Sequence, residues 1–180
     1  SNDGTASTVV VTINGTNDAA VISAGTGSVT EDVGVVGGNI ATGGTLTVTD
    51  VDAGQASFQA QASTAGTYGT FTLGSNGAWS YTASNSDPAV QALGVGQTLT
   101  ENFTVRSTDG TTSTVVVTIN GTNDAAVISA GTGSVTEDVG VVGGNISTGG
   151  ALTVTDVDSG QSRFHAQAST AGTYGTFTLD

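Results

Sequence analysis

The 180-residue sequence contains no cysteine, no methionine, one proline, one histidine and only two Lys or Arg residues. Without cysteine, neither a disulfide framework nor a thiolate metal site can form. With so few basic residues, there is no positive patch to bind nucleic acid or an anionic membrane surface. No apolar run approaches the roughly 20 residues of a membrane-spanning helix. The sequence also opens without a signal-peptide pattern, and we expect any export or anchoring signal to lie outside these residues.

Acidic residues dominate the sparse charge that is present. Fifteen Asp and Glu give a formal net charge of −13, although only 9% of residues are charged, against about 25% in ordinary soluble domains. Most carboxylates therefore have no basic partner, and cations are the expected ligands. Glycine is abundant, but a hydrophobic content of 36%, rich in Val, predicts a folded chain and not a disordered linker.

The sequence is a tandem repeat with a period of 106 residues. Residues 1–74 and 107–180 are identical at 65 of 74 positions, and the block Ile13–Ile40 recurs unchanged as Ile119–Ile146. A unit of this length is the size of a domain, so we predict separate domains in a row and not a solenoid.

The repeat sets the predicted domain boundaries. Residues 1–18 would be the last strand and linker of a preceding repeat, residues 19–124 a complete repeat, and residues 125–180 the first part of the following repeat. A half repeat of this kind exposes an open sheet edge.

Alternating apolar residues predict β-strands throughout the repeat. Segments such as TLTVTD, AWSYT and TVVVTIN place every second side chain on one face, which is typical of half-buried antiparallel strands. Turn sequences rich in Gly, Asn and Asp separate the strands at the spacing of a β-sandwich. The predicted core side chains are Leu46, Val48, Phe71, Leu73, Trp79, Tyr81, Phe103, Val105, Val115, Val117 and Ile119.

One segment, SDPAVQALG, breaks the strand pattern. Asp87 can cap a helix, Pro88 suits its first position and Gly94 can end it. The sequence therefore predicts one short helical turn near Asp87 to Leu93 within an otherwise all-β fold of tandem antiparallel sandwiches.

Acidic residues collect at strand ends and turns. If the motifs VTED, TDVDAG, STDG and NGTND converge at the ends of a sandwich, like charges meet in a small volume and destabilise the fold. Ca²⁺ binds carboxylate, amide and carbonyl oxygens, whereas zinc prefers Cys and His ligands, which this sequence lacks. We therefore predict Ca²⁺ as the bound cation.

Each acidic motif also has a simpler interpretation. DVDAG and NGTND are common turn sequences, and Glu31 with Asp32 can be solvated surface charges. DVDAG does not begin an EF-hand, because position 12 counted from Asp50 is Gln61 where that loop needs a bidentate Glu.

The order SVTED, LTVTDVDAG, VRSTDG and VVVTINGTNDAAV resembles the bacterial cadherin-like repeats known as VCBS repeats, over essentially all 180 residues. Such repeats build the extender regions of large RTX-type adhesins exported by type I secretion. The resemblance implies Ig-like, cadherin-like β-sandwiches on the bacterial cell surface, with Ca²⁺ clamped between successive domains.

The resemblance also implies two metal sites between domains. The first would gather residues of one linker and of the repeat after it: Asn14, Asn17, Asp18, Asp50, Asp52 and Asp109. The second would gather the next linker and the repeats on both sides: Glu31, Asn120, Asn123, Asp124, Asp156 and Asp158. Glu137, with Asp138, would belong to a third linker.

The sequence departs from cadherins in lacking a central LDRE or LDYE motif. Glu101 shares a strand face with Phe103 and Val105, which makes it a candidate replacement ligand. It is equally compatible with a solvated strand end.

Catalysis is not expected. His165 is replaced by Gln59 in the other copy, and no nucleophile with a base can be assembled from the residues present. The sequence favours a structural extender module whose Ca²⁺-rigidified repeats project an adhesive tip for surface attachment and biofilm formation. Its partners would be neighbouring repeats of the same chain, in a monomer. The alternative is a carbohydrate-binding module, which usually needs an aromatic platform; Trp79 and Tyr81 have the pattern of core residues, so Tyr68 is the better candidate for an exposed ring.

Overall fold

The computed structural model describes residues 2–180, whose regular secondary structure is almost entirely β. Within this range one short helix, α1 (Pro88–Gln91), interrupts a series of strands. The strands are β1 (Val21–Ile22), β2 (Gly25–Thr30), β3 (Asn39–Thr45), β4 (Val48–Thr49), β5 (Gln61–Ala65), β6 (Gly69–Leu73), β7 (Ala78–Ser84), β8 (Thr98–Arg106), β9 (Thr112–Asn120), β10 (Val127–Ile128), β11 (Val154–Thr155), β12 (Gln167–Ala171) and β13 (Thr176–Leu179).

The complete repeat is a sandwich of two main sheets, with a separate two-stranded pair, β1-β4. One sheet has the strand order β3-β7-β6-β5 and the other has the order β2-β9-β8. Apolar side chains from both sheets share a single core. Phe71 of β6 and Phe103 of β8 stack in it with their ring centroids 4.8 Å apart. The predicted all-β sandwich is thereby confirmed.

The alternation read from the sequence correctly identifies the core. Ten of the eleven predicted side chains are buried, and Val48 is half-buried against them. Trp79 and Tyr81 are 6% and 0% exposed, so neither ring can serve as the surface platform of a carbohydrate site. Tyr68 is also partly buried against the core.

One strand pair departs from the predicted antiparallel arrangement. β2 runs parallel to β9, in register from Gly25 opposite Val115 to Thr30 opposite Asn120. The other strand pairs among residues 2–180 are antiparallel. Alternation of apolar residues does not encode the direction of the neighbouring strand, so the sequence could not predict this pair. Its consequence is that the ends of β2 and β9 lie side by side.

Helix α1 forms where the sequence predicts it. The Asp87 carboxylate accepts hydrogen bonds from the backbone N–H groups of Ala89 and Val90, at 2.8 and 3.3 Å, which satisfies donors that have no partner within the helix. The fully buried Val90 side chain ties the helix to the core. No helix among the described residues is long and apolar enough to cross a membrane.

The following half repeat keeps the strand pairs that are local in sequence. β10 pairs with β11 as β1 pairs with β4, and β12 pairs with β13 as β5 pairs with β6. Residues 125–180 contain no counterparts of β7, β8 and β9, and side chains such as Tyr174 and Phe177 are exposed. Residues 6–14, which are the counterpart of β9, form no strand, and residues 2–180 contain no second copy of the β8 sequence to pair with them.

Candidate metal centre

Glu31 lies at the junction between the complete repeat and the following one. It comes directly after β2, and the parallel pairing with β9 brings it beside the linker. Its backbone N–H donates to the carbonyl oxygen of Asn120 (3.0 Å), and its Oε1 accepts from the N–H of Thr122 (2.8 Å). The side chain is fully buried, which is rare for a Glu without a basic partner.

Three Asp residues from the linker and the following repeat come to the same place. The Asp124 N–H donates to Asp158 Oδ2 (3.0 Å), and the Asp158 N–H donates to Asp156 Oδ1 (2.9 Å). Asp158 is only 1% exposed, and its Oδ2 also accepts from Gln161 Nε2 at 3.0 Å. We call Glu31, Asp32, Asp124, Asp156 and Asp158 the acidic junction.

Several carboxylate oxygens of these residues have no partner. Among residues 2–180, the buried side-chain oxygens without a hydrogen bond are Glu31 Oε2, Asp50 Oδ2, Asp124 Oδ2 and Asp158 Oδ1. All four belong to predicted ligands, and three of them lie in the acidic junction. Since buried polar groups are normally hydrogen-bonded, this set of oxygens fits the donor chemistry of a hard cation.

The charges of the acidic junction repel one another. Burial raises the pKa of Glu31 above its ordinary 4.5; the hydrogen bond from Thr122 lowers it, and the charges of Asp124, Asp32 and Asp158 raise it again. Burial also raises the pKa of Asp124 above its ordinary 3.8, and the charges of Asp32, Asp158 and Asp156 add to this. The two repeats therefore meet through mutually unfavourable negative charges.

Asp32 is a member of this cluster that the predicted ligand set omits. Its backbone is left-handed, with φ of 59°, and its Oδ1 accepts from Asn85 Nδ2 (2.7 Å) and Gln91 Nε2 (3.3 Å). In the sequence, its position directly after Glu31 was the feature that could have identified Asp32 as part of the site. The left-handed backbone and the two amide partners, which lie more than 50 residues away, could not be read from the residue order.

The first linker repeats part of the same arrangement. The Asp18 N–H donates to Asp52 Oδ2 (2.7 Å), and the Asp52 N–H donates to Asp50 Oδ1 (2.8 Å). These bonds match those of Asp124, Asp158 and Asp156 one for one. Residues 2–17 contain no Glu, so the described residues place no carboxylate at this linker in the position that Glu31 has at the acidic junction.

Asp109 anchors the first linker to the sandwich. Its Oδ1 accepts from the Ser107 hydroxyl and from the Thr111 N–H, and its Oδ2 accepts from the Thr111 hydroxyl (2.6 Å) and the Ala20 N–H (3.0 Å). The bonds from Ser107 and Thr111, followed by the bond from Ala20, lower the pKa of Asp109 below its ordinary 3.8. Both oxygens are thus engaged within the protein.

Glu101 lies in the middle of β8, outside both linkers. Its Oε1 accepts from the N–H groups of Thr67 and Tyr68, and its Oε2 accepts from the Tyr81 hydroxyl. Burial and this carboxylate raise the pKa of Tyr81. These bonds satisfy the buried Glu101 without a cation, and we leave it out of the proposed calcium site.

The predicted amide ligands lie at the edges of the two linkers. Asn17 and Asn123 are exposed, and each donates to the carbonyl oxygen of the next residue, at 2.9 and 2.7 Å. Asn120 donates to a carbonyl oxygen of β2 (2.9 Å), whereas Asn14 and Glu137 are exposed. Within residues 2–180, no group of three or more His, Cys, Asp or Glu side chains has the geometry to hold a metal ion by itself.

Together these features define a class of protein, a β-sandwich repeat with carboxylates gathered where domains meet. The model of one family, the bacterial cadherin-like domain, matches residues 17–121, which is 105 of the 180 residues. The chain therefore belongs to the bacterial cadherin-like domain family, as its resemblance to cadherin-like repeats implied. Domains of this family are generally extracellular structural modules and typically not enzymes. A comparison with curated proteins found no significant match.

The raised pKa values predict that the calcium-free protein becomes more stable as the pH falls from 7 to about 4.5. Protonation of Glu31 and Asp124 favours the folded chain; this gain is complete below their ordinary pKa values and is lost as the pH rises through the raised ones. Asp109 acts with the opposite sign, but only below about 3.8. Urea midpoints measured in chelator at pH 7 and pH 5 test this, and a lower midpoint at pH 5 would contradict it.

Proposed function

We propose that this chain is a structural extender module of a bacterial surface adhesin, in which Ca²⁺ at the acidic junction fixes the angle between successive repeats. The observation that supports it is the set of four buried, unpartnered carboxylate oxygens, three of them at one junction. Burying an ionised oxygen without a partner is costly. A divalent cation removes both the repulsion and the missing coordination.

Glu31, Asp124 and Asp158 would bind the ion, because each has a free buried oxygen. Asp32 and Asp156 are close enough to raise the pKa of Asp124 and would add negative charge. Ca²⁺ takes six to eight oxygen ligands, so backbone carbonyls, Asn side chains and water would complete the shell. Since no three acidic side chains of residues 2–180 hold an ion as they stand, binding would involve a local adjustment of side chains.

The proposed mechanism is mechanical. Without calcium, carboxylates of the two repeats repel each other across the linker; with calcium, they share one ion and the linker stiffens. A rod of such repeats would hold an adhesive domain away from the cell surface for attachment and biofilm formation. An ion that binds only the folded chain would also stabilise folding after export by type I secretion, by RT ln(1 + [Ca²⁺]/Kd).

Calcium titration by calorimetry tests this proposal with a matched pair of variants. Asp124 and Asp18 occupy the same position in identical INGTND sequences, but only Asp124 faces a Glu31. We expect Asp124→Asn to weaken calcium binding roughly tenfold or more, which corresponds to about 1.4 kcal/mol, and Asp18→Asn to have a much smaller effect on that site.

The same titration with Mg²⁺ is the control for ion chemistry. Mg²⁺ demands a compact octahedron and releases water reluctantly, so we expect weaker binding. Absence of calcium binding to the unsubstituted chain, or equal loss in the two variants, would contradict the proposal.

A further inference from the structure

The segment after helix α1 contacts the following repeat directly. The Ser159 N–H, in the loop after β11, donates to the carbonyl oxygen of Ala92 at 3.0 Å. The last carbonyl groups of a helix have no partner within it. Here one such carbonyl group is satisfied by a backbone N–H from the neighbouring repeat.

Two glycines show how closely the chain segments approach here. Gly94 is buried, and a Cβ placed on it would lie 2.8 Å from Gln161 Nε2 of the following repeat. A Cβ on Gly121, in the linker, would lie 2.2 Å from the carbonyl oxygen of Leu93. Gly15, the counterpart of Gly121 in the first linker, would meet nothing within 4 Å. The close approach therefore depends on the preceding helix and not on the linker sequence.

The segment after α1 is also fixed within its own repeat, by core packing and by a backbone hydrogen bond. Val90 and Leu93 are buried in the sandwich core at 0% and 7% exposure, and the Gly121 N–H donates to the Gln97 carbonyl oxygen at 3.0 Å. The core of one repeat thus continues through Leu93 to a backbone contact with the next.

We propose that the segment Ala92–Gly94 is a docking edge, which orients the loop Asp156–Gln161 of the following repeat by direct contact. Its contacts are a backbone hydrogen bond and close packing at glycine, so they need no metal ion. The docking edge sets the preferred orientation of the next repeat whether or not the proposed calcium site is filled, and calcium would narrow the range of angles around that orientation.

Amide hydrogen exchange measured by NMR on the full 180-residue chain in chelator tests this directly. Ser159 and Ala53 occupy equivalent loop positions, but no helix end precedes the Ala53 loop within residues 2–52. We expect the Ser159 N–H to exchange roughly tenfold or more slowly than the Ala53 N–H, as for an amide that must open before it exchanges.

The outcomes separate this proposal from the calcium proposal. Equal exchange of Ser159 and Ala53 in chelator overturns the docking edge, even if calcium later slows Ser159. Slow exchange of Ser159 that calcium does not alter supports the docking edge, even if calcium titration detects no binding.

Substitution at the linker glycines provides a second test. Gly121→Ala should abolish the protection of Ser159, because its Cβ collides with the Leu93 carbonyl, whereas Gly15→Ala should leave it unchanged. Slow exchange of the Tyr81 N–H in both variants shows that the sandwich is intact. Retained protection of Ser159 in an intact Gly121→Ala protein would overturn the proposal, and if this variant unfolds, the comparison of Ser159 with Ala53 decides alone.

Discussion

Glu31→Gln is expected to stabilise the calcium-free protein and to remove most of its stabilisation by calcium. The substitution removes a buried charge whose pKa is raised by burial and by neighbouring carboxylates. We expect a gain of about 1 kcal/mol in the free energy of unfolding in chelator, which is the usual scale of a point substitution but of the opposite sign. The amide oxygen of the introduced side chain can still accept the hydrogen bond from Thr122.

With calcium present, we expect Glu31→Gln to lower the free energy of unfolding relative to the unsubstituted protein. The unsubstituted protein would gain about 2.7 kcal/mol at a calcium concentration 100 times Kd, and the amide oxygen of the Glu31→Gln protein is a poorer ligand than a carboxylate. Glu137→Gln is the matched control, because Glu137 has the same neighbours in sequence but is exposed. Urea unfolding of both variants, with chelator and with calcium, gives the free energy of unfolding in each of these four cases. A loss of stability for Glu31→Gln in chelator, or an unchanged calcium effect, would contradict the account.

Glu101→Ala is expected to destabilise the sandwich strongly without changing its response to calcium. The substitution leaves the N–H groups of Thr67 and Tyr68 and the Tyr81 hydroxyl without their acceptor. The Tyr81 hydroxyl is buried, and leaving such a group unpaired costs about 1–3 kcal/mol. Thr67 is exposed and Tyr68 half-buried, so water can replace the acceptor there, and we expect a total loss of about 2–3 kcal/mol. The melting temperature with and without calcium measures both effects.

Two further variants define the role of Glu101. Thr100→Ala, at the exposed neighbouring position, should change stability by less than about 0.5 kcal/mol. Glu101→Gln keeps one acceptor oxygen and should lie between the two. If Glu101→Ala reduced the calcium-induced rise in melting temperature by as much as Asp124→Asn does, Glu101 would be a calcium ligand after all.

The sequence predicts the parts of this fold that depend on local pattern. Period-two alternation identifies the core because a side chain on a strand faces either the opposite sheet or solvent. The helical turn is predicted by Asp87 and Pro88, whose effects act within a few residues. The repeat itself shows which strand pairs recur, since β12 and β13 form as β5 and β6 do.

The candidate site could be predicted only in outline. The acidic motifs indicated which residues gather at linkers, but the parallel pairing of β2 with β9 decides that Glu31 lies beside Thr122. The same limit explains Glu101, whose partners lie more than 30 residues away in sequence for two bonds and 20 for the third. Side-chain chemistry alone does not distinguish a buried carboxylate paired with N–H and O–H donors from one that lacks them.

The distance between repeats, measured by double electron–electron resonance with and without calcium, tests the central claim most directly. The sequence has no cysteine, so Thr104→Cys in the complete repeat and Ser169→Cys in the following one, both exposed, place a single pair of spin labels across the acidic junction. The account predicts a broad distribution of distances in chelator that narrows when calcium is added, and that stays broad in the Asp124→Asn protein. A distribution of the same width with and without calcium would contradict it.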